Sequence, residues 1–412
     1  MPSIMSGVRG GLTGRETSGQ RLEFCRDLLS GRLSRSEIEA ELRTECDAKA
    51  ITFVINNSCN LACRHCYLQV DELTAPELTR EERERLMDSA LDQGPDLICL
   101  SGKEIFLGNR GVETLSYLNT EKTTRGLAVR IGAITNGTLI QRHRQAILDA
   151  GLDYLDISVD GLESDHDYNR GKGAFAAMRP NLIWAAEHLG KRLFVNMTLQ
   201  KRNFRNINEA IASFHGMGVQ NVGCGFYQTL PYTDAALRLS DADHNEIFKN
   251  LRKLESIHLT KPLTVLFDLD IVTIDATLAF MQSEWFSPDD ICVDERGELY
   301  SEFILPNGLR LQIRFAPFPL MIFKSVRITP EGNYLAVEDT VNAKHYAERA
   351  LANVRDFNFN LSRVHAHAKR SPRLNAMLRQ YFERILPALQ DAYANHVWVD
   401  RAATKRNSLA MA

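Results

Sequence analysis

Three of the eight cysteines fall within eight residues, in the segment NNSCNLACRHCYLQ (56–69), at Cys59, Cys63 and Cys66. Three thiolates in C-x3-C-x2-C spacing suit a soft metal. A structural zinc site or an ordinary electron-transfer iron–sulfur cluster would use four protein ligands. His65 is an awkward fourth ligand because it is adjacent to Cys66 in the same tight loop. The pattern favours a metal centre with one coordination position open to a small molecule, which is typical of catalysis.

The composition places few other limits on function. The 412 residues are 44% hydrophobic and 25% charged, with a formal net charge of −3, so the chain shows no single-sign field for nucleic acid or a membrane surface. The N-terminus lacks the apolar core of a signal sequence, and the longest apolar run is too short to span a bilayer. The remaining cysteines are scattered, which favours a reducing, cytoplasmic location over a disulfide framework: Cys25, Cys46, Cys99, Cys224 and Cys292.

Short β-rich runs alternate with helical patterns from residue 50 onwards. This alternation predicts parallel βα units. Six units are too few for a closed eight-stranded barrel, so we expect an α/β fold with a partial (β/α)6 barrel or open parallel sheet. The active site should lie in the loops at the carboxyl ends of the strands. The six predicted strands are 51–56, 97–100, 128–135, 154–160, 192–200 and 221–228.

The remaining segments extend this unit on both sides. We expect a helical N-terminal extension at 1–48 before a barrel at 49–230. A connecting helix and a small antiparallel β-rich domain should occupy 231–343, followed by a helical tail at 344–412. These boundaries follow from changes in hydrophobic periodicity along the chain.

The C-x3-C-x2-C motif in the loop after the first strand resembles the signature of the radical S-adenosylmethionine (radical SAM) superfamily. The resemblance implies that the three cysteines hold one [4Fe–4S] cluster and that SAM binds the fourth iron. It further implies reductive cleavage of SAM to a 5′-deoxyadenosyl radical, which abstracts hydrogen from a substrate. A flavodoxin- or ferredoxin-type partner would supply the electron.

Later motifs follow in the order of that family. "LSGKEIFL" (100–107) is similar to its Gly-Gly-Glu-Pro loop, although Lys103 intervenes and Ile105 replaces the proline. "ITNG" (134–137), "DISVDG" (156–161) and "DYNRGKGAF" (167–175) also match family segments. The resemblance implies that SAM is contacted at its amino group, adenine, ribose and carboxylate by a set of cofactor-binding residues: His65, Gly102, Glu104, Thr135, Asn136, Ser158, Arg170 and Asn196. Each also has a structural alternative, as a turn, a polar strand end or a surface side chain.

The region 327–357 resembles the frame of a SPASM/twitch domain, which often carries auxiliary clusters. The family's cysteine position is occupied by Val337, and no cysteine follows Cys292. We therefore predict one cluster in total. Loss of auxiliary clusters favours redox-neutral outcomes such as epimerisation, rearrangement or elimination. Epimerisation needs a hydrogen donor, for which Cys224 is the first candidate and Cys292 the second; a buried structural cysteine is the alternative for each.

Three functional hypotheses remain open. The first is a radical SAM enzyme acting on a peptide in a natural-product maturation pathway, a hypothesis that rests on the resemblance of the C-terminal domain. The second is the same chemistry on a sugar, nucleoside or amino acid derivative. The third, of another class, is a non-catalytic iron–sulfur or zinc-binding module. The sequence does not predict the oligomeric state.

Overall fold

A computed structural model describes residues 15–44, 49–66, 68, 73–228, 233–293, 298–317, 325–336 and 346–395. Val337 and Cys46 lie outside the described residues. The strands alternate with helices along the first two thirds of the chain, as the sequence pattern predicts. They are β1 Ala50–Val54, β2 Leu97–Ser101, β3 Arg130–Thr135, β4 Tyr154–Ser158, β5 Leu193–Leu199, β6 Asn221–Phe226, β7 Thr264–Leu269, β8 Ile291–Val293, β9 Leu299–Ile304, β10 Arg310–Phe315, β11 Ser325–Ile328, β12 Asn333–Ala336 and β13 Ala352–Asn353.

Most helices connect successive strands, and the others precede β1 or follow β13. The helix after β1 begins with a capping box. The Thr79 side chain accepts from the backbone N–H of Glu82, and the Glu82 side chain accepts from the backbone N–H of Thr79. The helices are α1 Arg15–Leu29, α2 Arg35–Thr44, α3 Arg80–Asp92, α4 Arg110–Thr124, α5 Arg144–Asp149, α6 Glu163–Arg170, α7 Ala174–Leu189, α8 Ile207–Gly216, α9 Asp241–Asn250, α10 Ile274–Met281, α11 Leu361–Ala368, α12 Pro372–Gln380 and α13 Leu386–Ala394.

The described strands form one 13-stranded sheet in the order β13-β12-β11-β1-β2-β3-β4-β5-β6-β7-β10-β9-β8. Strands β1 to β7 run parallel, and β11 and β10 continue the parallel run beside β1 and β7. Within the described residues the edge strands β13 and β8 do not pair with each other. The prediction of an α/β fold with an incomplete barrel is confirmed as an open, mostly parallel sheet.

The strands expected to form a small antiparallel domain extend both edges of this sheet. Strand β7 follows α9 as another parallel βα unit, and β10, β9 and β8 continue beyond it, with antiparallel pairing between β10, β9 and β8. On the opposite side β11 pairs parallel to β1, while β12 and β13 add antiparallel strands. The later strands join the main sheet because the alternation of strands and helices does not stop at β6. The domain boundaries given above remain predictions.

The sheet has two differently used faces, because successive side chains in a strand point to opposite sides. One face packs with the helices in a large apolar core. The other, here called the inner face, carries a smaller apolar cluster at its base formed by Ala50, Leu97, Cys99, Tyr154 and Phe194. Polar inner-face residues lie nearer the carboxyl ends of the strands and form the candidate site.

The N-terminal helices pack against the C-terminal part of the chain. Helix α1 contacts β8 and α13; Nε2 of Gln390 donates to the carbonyl of Leu28 at 2.9 Å, and Arg26 donates to the carbonyl of Pro288 at 3.2 Å. These contacts fix the predicted N-terminal extension to one edge of the sheet. In the described part of the chain, no helix combines the length and apolar character that crossing a membrane requires.

Candidate active site

The segment that follows β1 carries the three cysteines and is tied to its neighbours by backbone hydrogen bonds. The N–H of Ile55 donates to the carbonyl of Ser101 at 2.8 Å, and the N–H of Glu104 donates to Ser58 at 3.0 Å. The N–H of Arg64 donates to the carbonyl of Asn169 in α6 at 2.8 Å. The loop is therefore fixed against the loop after β2 and against α6.

A cavity of about 430 Å³ opens at the carboxyl edge of the sheet beside this segment. It brings together the three cysteines and six of the eight predicted cofactor-binding residues. The predicted residues that line it are Cys59, Cys63, Cys66, His65, Gly102, Thr135, Asn136, Ser158 and Arg170. They come from the loops after β1, β2 and β3, the end of β4, and α6. The structure thus assembles at one place what the sequence distributes over more than 100 residues.

The three thiols influence one another. The pKa of Cys63 is raised to about 12 because the thiol is buried; Arg170 opposes this shift, whereas Cys66 and Cys59 raise the pKa further. Burial also raises the pKa of Cys59 and of Cys66. Because ligation of a metal requires the thiolate form, the positive charge of Arg170 favours the ligating state of these cysteines.

The donor set fits an iron–sulfur cluster, because three thiols line one cavity and cysteine thiolates are the ligands that hold such clusters. The cavity wall is close-packed at Gly102, where a Cβ would lie 2.8 Å from Oδ1 of Asn56 and would displace that side chain. Glycine therefore allows the close approach of the two loops.

Glu104, predicted to contact the SAM amino group, lies beneath the cavity lining and is 1% exposed. Its Oε1 accepts from the Thr135 hydroxyl at 2.7 Å and from the N–H of Phe106 at 3.0 Å. Its Oε2 accepts from the N–H of Asn136 at 2.8 Å. In this structure the carboxylate joins the loop after β2 to the end of β3, and burial raises its pKa despite these three donors.

The turn that follows β3 depends on Gly137. Its φ of +79° lies in the left-handed region, and a Cβ there would lie 2.7 Å from Cγ2 of Ile157. Both constraints favour glycine over residues with a side chain. The turn places the side chain of Asn136 against the cysteine loop, where its Nδ2 donates to Sγ of Cys59 at 3.8 Å.

Arg170 lines the cavity and forms a buried ion pair with Asp160, a residue that the sequence analysis did not single out. Nε of Arg170 donates to Oδ2 of Asp160 at 2.7 Å, and Nη2 donates to Oδ1 at 3.3 Å. Nε2 of His65 lies 3.7 Å from the same carboxylate. Burial alone would raise the pKa of Asp160, but Arg170 and His65 hold it below its ordinary value. The aspartate therefore orients the arginine and balances its charge.

Asn196 is not part of the cavity lining but lies directly beside Ser158 on the adjacent strand β5. Its side chain opposes the effect of burial on the carboxyl group of Asp156, another buried residue that the sequence analysis passed over. Asp156 shares the inner face with Ser158, two residues further into the sheet. Burial raises the pKa of Asp156 to about 7, whereas Asn196 lowers it. The signal that could have found them is their position, because Asp156 lies just before the carboxyl end of β4 and Asp160 lies just after it.

Cys224, the candidate hydrogen donor, is not brought to the cavity. It is 1% exposed and belongs to the apolar core on the helix-facing side of the sheet. Its strand neighbours in register are Met197 and Phe267, which belong to the same core. Cys292 is exposed on β8. We therefore assign neither thiol to the site.

Comparison with known proteins finds a family match for one segment of the chain. Residues 53–214 match the sequence model of the radical SAM superfamily. This segment runs from β1 into α8 and contains the three cysteines. This segment of the chain therefore carries a radical SAM domain.

Two curated relatives illustrate the range of this family. The chain is 32% identical over 160 residues to Fe-coproporphyrin III synthase of Methanosarcina barkeri, covering 38% of each chain. It is 27% identical over 173 residues to the subtilosin biosynthesis protein AlbA of Bacillus subtilis, covering 41% of this chain and 37% of that protein. The chain thus spans less than two fifths of the length of either relative.

Solved structures support the fold. The protein anSMEcpe with bound S-adenosylmethionine superposes with a TM-score of 0.56 at 15% identity, covering 81% of this chain and 83% of that one. SuiB of Streptococcus suis bound to the precursor peptide SuiA superposes with a TM-score of 0.51 at 14% identity, covering 72% and 62%. At these identities the similarity concerns the fold.

Proposed function

We propose that this protein is a radical SAM enzyme that uses one [4Fe–4S] cluster, held by Cys59, Cys63 and Cys66. The observation that supports it is the shared cavity, which joins the three cysteines to the residues expected to bind SAM. When bound, the cluster and SAM supply a 5′-deoxyadenosyl radical that abstracts hydrogen from a substrate. The protein's part is to bind, orient and exclude water.

Within this proposal the polar residues of the cavity have separate tasks. Arg170 faces the cavity, and its Nε and Nη2 each donate one hydrogen bond to Asp160. The remaining donors of the guanidinium suit the SAM carboxylate, with which they would form a charge-assisted pair. Ser158 and its strand neighbour Asn196 suit the ribose hydroxyls. His65 lies beside Arg170 in the cavity wall and suits the adenine ring. Glu104 acts through Thr135 and Asn136, which it holds in place.

A peptide is our preferred substrate class. A structural neighbour, SuiB, is described in complex with a precursor peptide, and AlbA participates in bacteriocin biosynthesis. A small molecule is the second candidate, because the higher sequence identity is to Fe-coproporphyrin III synthase. For either substrate we propose a flavodoxin- or ferredoxin-type electron donor and a reducing, cytoplasmic location.

Anaerobic reconstitution tests the first part of the proposal. The purified chain should bind close to four irons and, with dithionite, convert SAM to 5′-deoxyadenosine. Cys59→Ala, Cys63→Ala and Cys66→Ala should each lose cluster and cleavage, while Cys292→Ala, a matched change at an exposed thiol, should retain both. Full SAM cleavage by Cys59→Ala would contradict the ligand assignment. Zinc binding without SAM cleavage would favour the non-catalytic alternative.

Isotope transfer separates the two substrate classes. A precursor peptide encoded beside the gene, deuterated at its α-carbons and its side chains, should pass deuterium into 5′-deoxyadenosine if the peptide assignment is correct. Transfer from a deuterated porphyrin precursor, with none from the peptide, would favour the small-molecule alternative. Unlabelled 5′-deoxyadenosine in both reactions would show that neither compound is the substrate.

A further inference from the structure

The Asn136 side chain is fixed at every hydrogen-bonding position that faces the protein. Its Nδ2 donates to Sγ of Cys59 at 3.8 Å and to Oδ1 of Asn60 at 3.0 Å. Its Oδ1 accepts from the N–H of Thr138 at 2.9 Å and from the Thr138 hydroxyl at 2.6 Å. The side chain thus bridges the cysteine loop and the turn after β3.

These partners determine which end of the amide faces the sulfur. If the amide were flipped, its NH2 group would meet the backbone N–H of Thr138, and its oxygen would meet Oδ1 of Asn60. Both contacts would oppose two groups of the same kind. The hydrogen-bond network therefore assigns the donor end of Asn136 to Cys59.

A closed ring of side chains makes this orientation rigid. Nδ2 of Asn60 donates to the Thr138 hydroxyl at 2.9 Å, which donates in turn to Asn136, which donates back to Asn60. The backbone N–H of Asn136 is held separately by Glu104. The donor that faces Cys59 is therefore positioned from both its side chain and its backbone.

We infer that Asn136 is a positioning residue that raises the reduction potential of the cluster by donating a hydrogen bond to Sγ of Cys59. Hydrogen bonds to cluster sulfurs are among the determinants of that potential. A donor offsets the negative charge that builds up on the sulfur when the cluster accepts an electron, so it favours the reduced state. The N–H of Leu61 is a second donor to the same sulfur, at 3.3 Å. The inference rests on the proposed function, because it presupposes the cluster.

Three substitutions separate the hydrogen bond from the ring that supports it. Asn136→Ala removes the donor, and Asn136→Asp replaces it with a negative acceptor while keeping the oxygen that faces Thr138. Thr138→Val is the matched control, because it breaks the ring but leaves the backbone N–H of Thr138 and the amide of Asn136. The reconstituted proteins are titrated anaerobically with dithionite without SAM, and the midpoint potential is followed by electron paramagnetic resonance.

At equal iron content, we expect the midpoint potential to be highest in the wild type, lower in Asn136→Ala and lowest in Asn136→Asp. The midpoint potential of Thr138→Val should stay close to that of the wild type. An unchanged midpoint in Asn136→Ala, or an equal shift in Thr138→Val, would overturn the inference. So would an equal loss of iron from both, since the ring would then be purely structural. If only Asn136→Ala loses iron, the midpoint potential of Asn136→Asp decides. A value below that of the wild type would support the inference, and an unchanged value would overturn it. A wild-type chain that binds no cluster would contradict the proposed function instead.

Discussion

Substitution of Asp160 by asparagine tests the buried ion pair behind the cavity. The Arg170 side chain is 8% exposed and that of Asp160 is fully buried. Four donors surround the carboxylate: Nδ2 of Asn169 at 2.6 Å, Nε and Nη2 of Arg170 at 2.7 and 3.3 Å, and the N–H of Thr198 at 3.3 Å. Asparagine offers one acceptor oxygen and places an NH2 group against the other donors.

Asp160→Asn should lower the free energy of unfolding by about 3–5 kcal/mol, because it leaves a buried guanidinium without its counter-charge. Glu246→Gln is the matched control. Its pair with Arg205 is exposed, at 35% and 59% for the two side chains, and such pairs contribute about 0–1 kcal/mol. The double variant Asp160→Asn with Arg170→Met should lose less than the sum of the two single losses.

Urea unfolding of the cluster-free protein, followed by circular dichroism, measures these changes. The cluster-free form is needed because a cofactor that binds only the folded state would add its own stabilisation. Equal losses in Asp160→Asn and Glu246→Gln, or strict additivity in the double variant, would refute the role assigned to the pair.

The same pair predicts a pH dependence. Arg170 and His65 keep the pKa of Asp160 below its ordinary value against the opposing effect of burial. A depressed folded-state pKa contributes stability that is fully present above the unfolded value, near pH 4, and is lost as the pH falls below it. The stability difference between wild type and Asp160→Asn should therefore be constant from pH 7 to about pH 5 and shrink in stronger acid.

Two further predictions concern residues outside the cavity. Glu331→Gln should lower the free energy of unfolding by about 1–3 kcal/mol and speed hydrogen exchange at 73–78, because Glu331 accepts from the backbone of Thr74 and Ala75 and from Nδ2 of Asn333. The control Glu348→Gln, at an exposed position, should change neither quantity. Equal effects of the two substitutions would contradict the role assigned to Glu331. In the native cluster-free protein an alkylating reagent should modify Cys292 and spare Cys224, because Cys224 is 1% exposed and burial raises its pKa. Peptide mass spectrometry measures the modification of each thiol. Comparable modification of both would show that Cys224 is accessible.

The sequence locates the strands well because each is a short β-rich run bounded by helical or turn residues. The predicted runs overlap β1 to β6 with shifts of one or two residues at most ends. The partners of the later strands are not visible in the same way. Pairing of β11 with β1 joins segments more than 270 residues apart, and no local pattern encodes which edge of the sheet a returning strand will extend.

The site is partly predictable for a related reason. Cysteine spacing after a parallel strand places the thiols at the carboxyl edge of the sheet, which is independent of side-chain detail. Cys224 needs that detail, since parallel strands are apolar on both faces and do not show which face is the inner one. Two of the three partners of Glu104 lie 31 and 32 residues further along the chain, so its contact with the end of β3 could not be predicted from the loop that carries it.

Two buried carboxylates support the walls of the site: Glu104 and Asp160, exposed by 1% and 0%. Glu104 accepts hydrogen bonds from the loops after β2 and β3, and Asp160 accepts them from α6 and β5. Loops of this kind have little apolar core of their own, and a carboxylate can accept several donors at once. These buried acceptors position the groups that line the cavity, which include thiols, an amide, hydroxyls and a guanidinium.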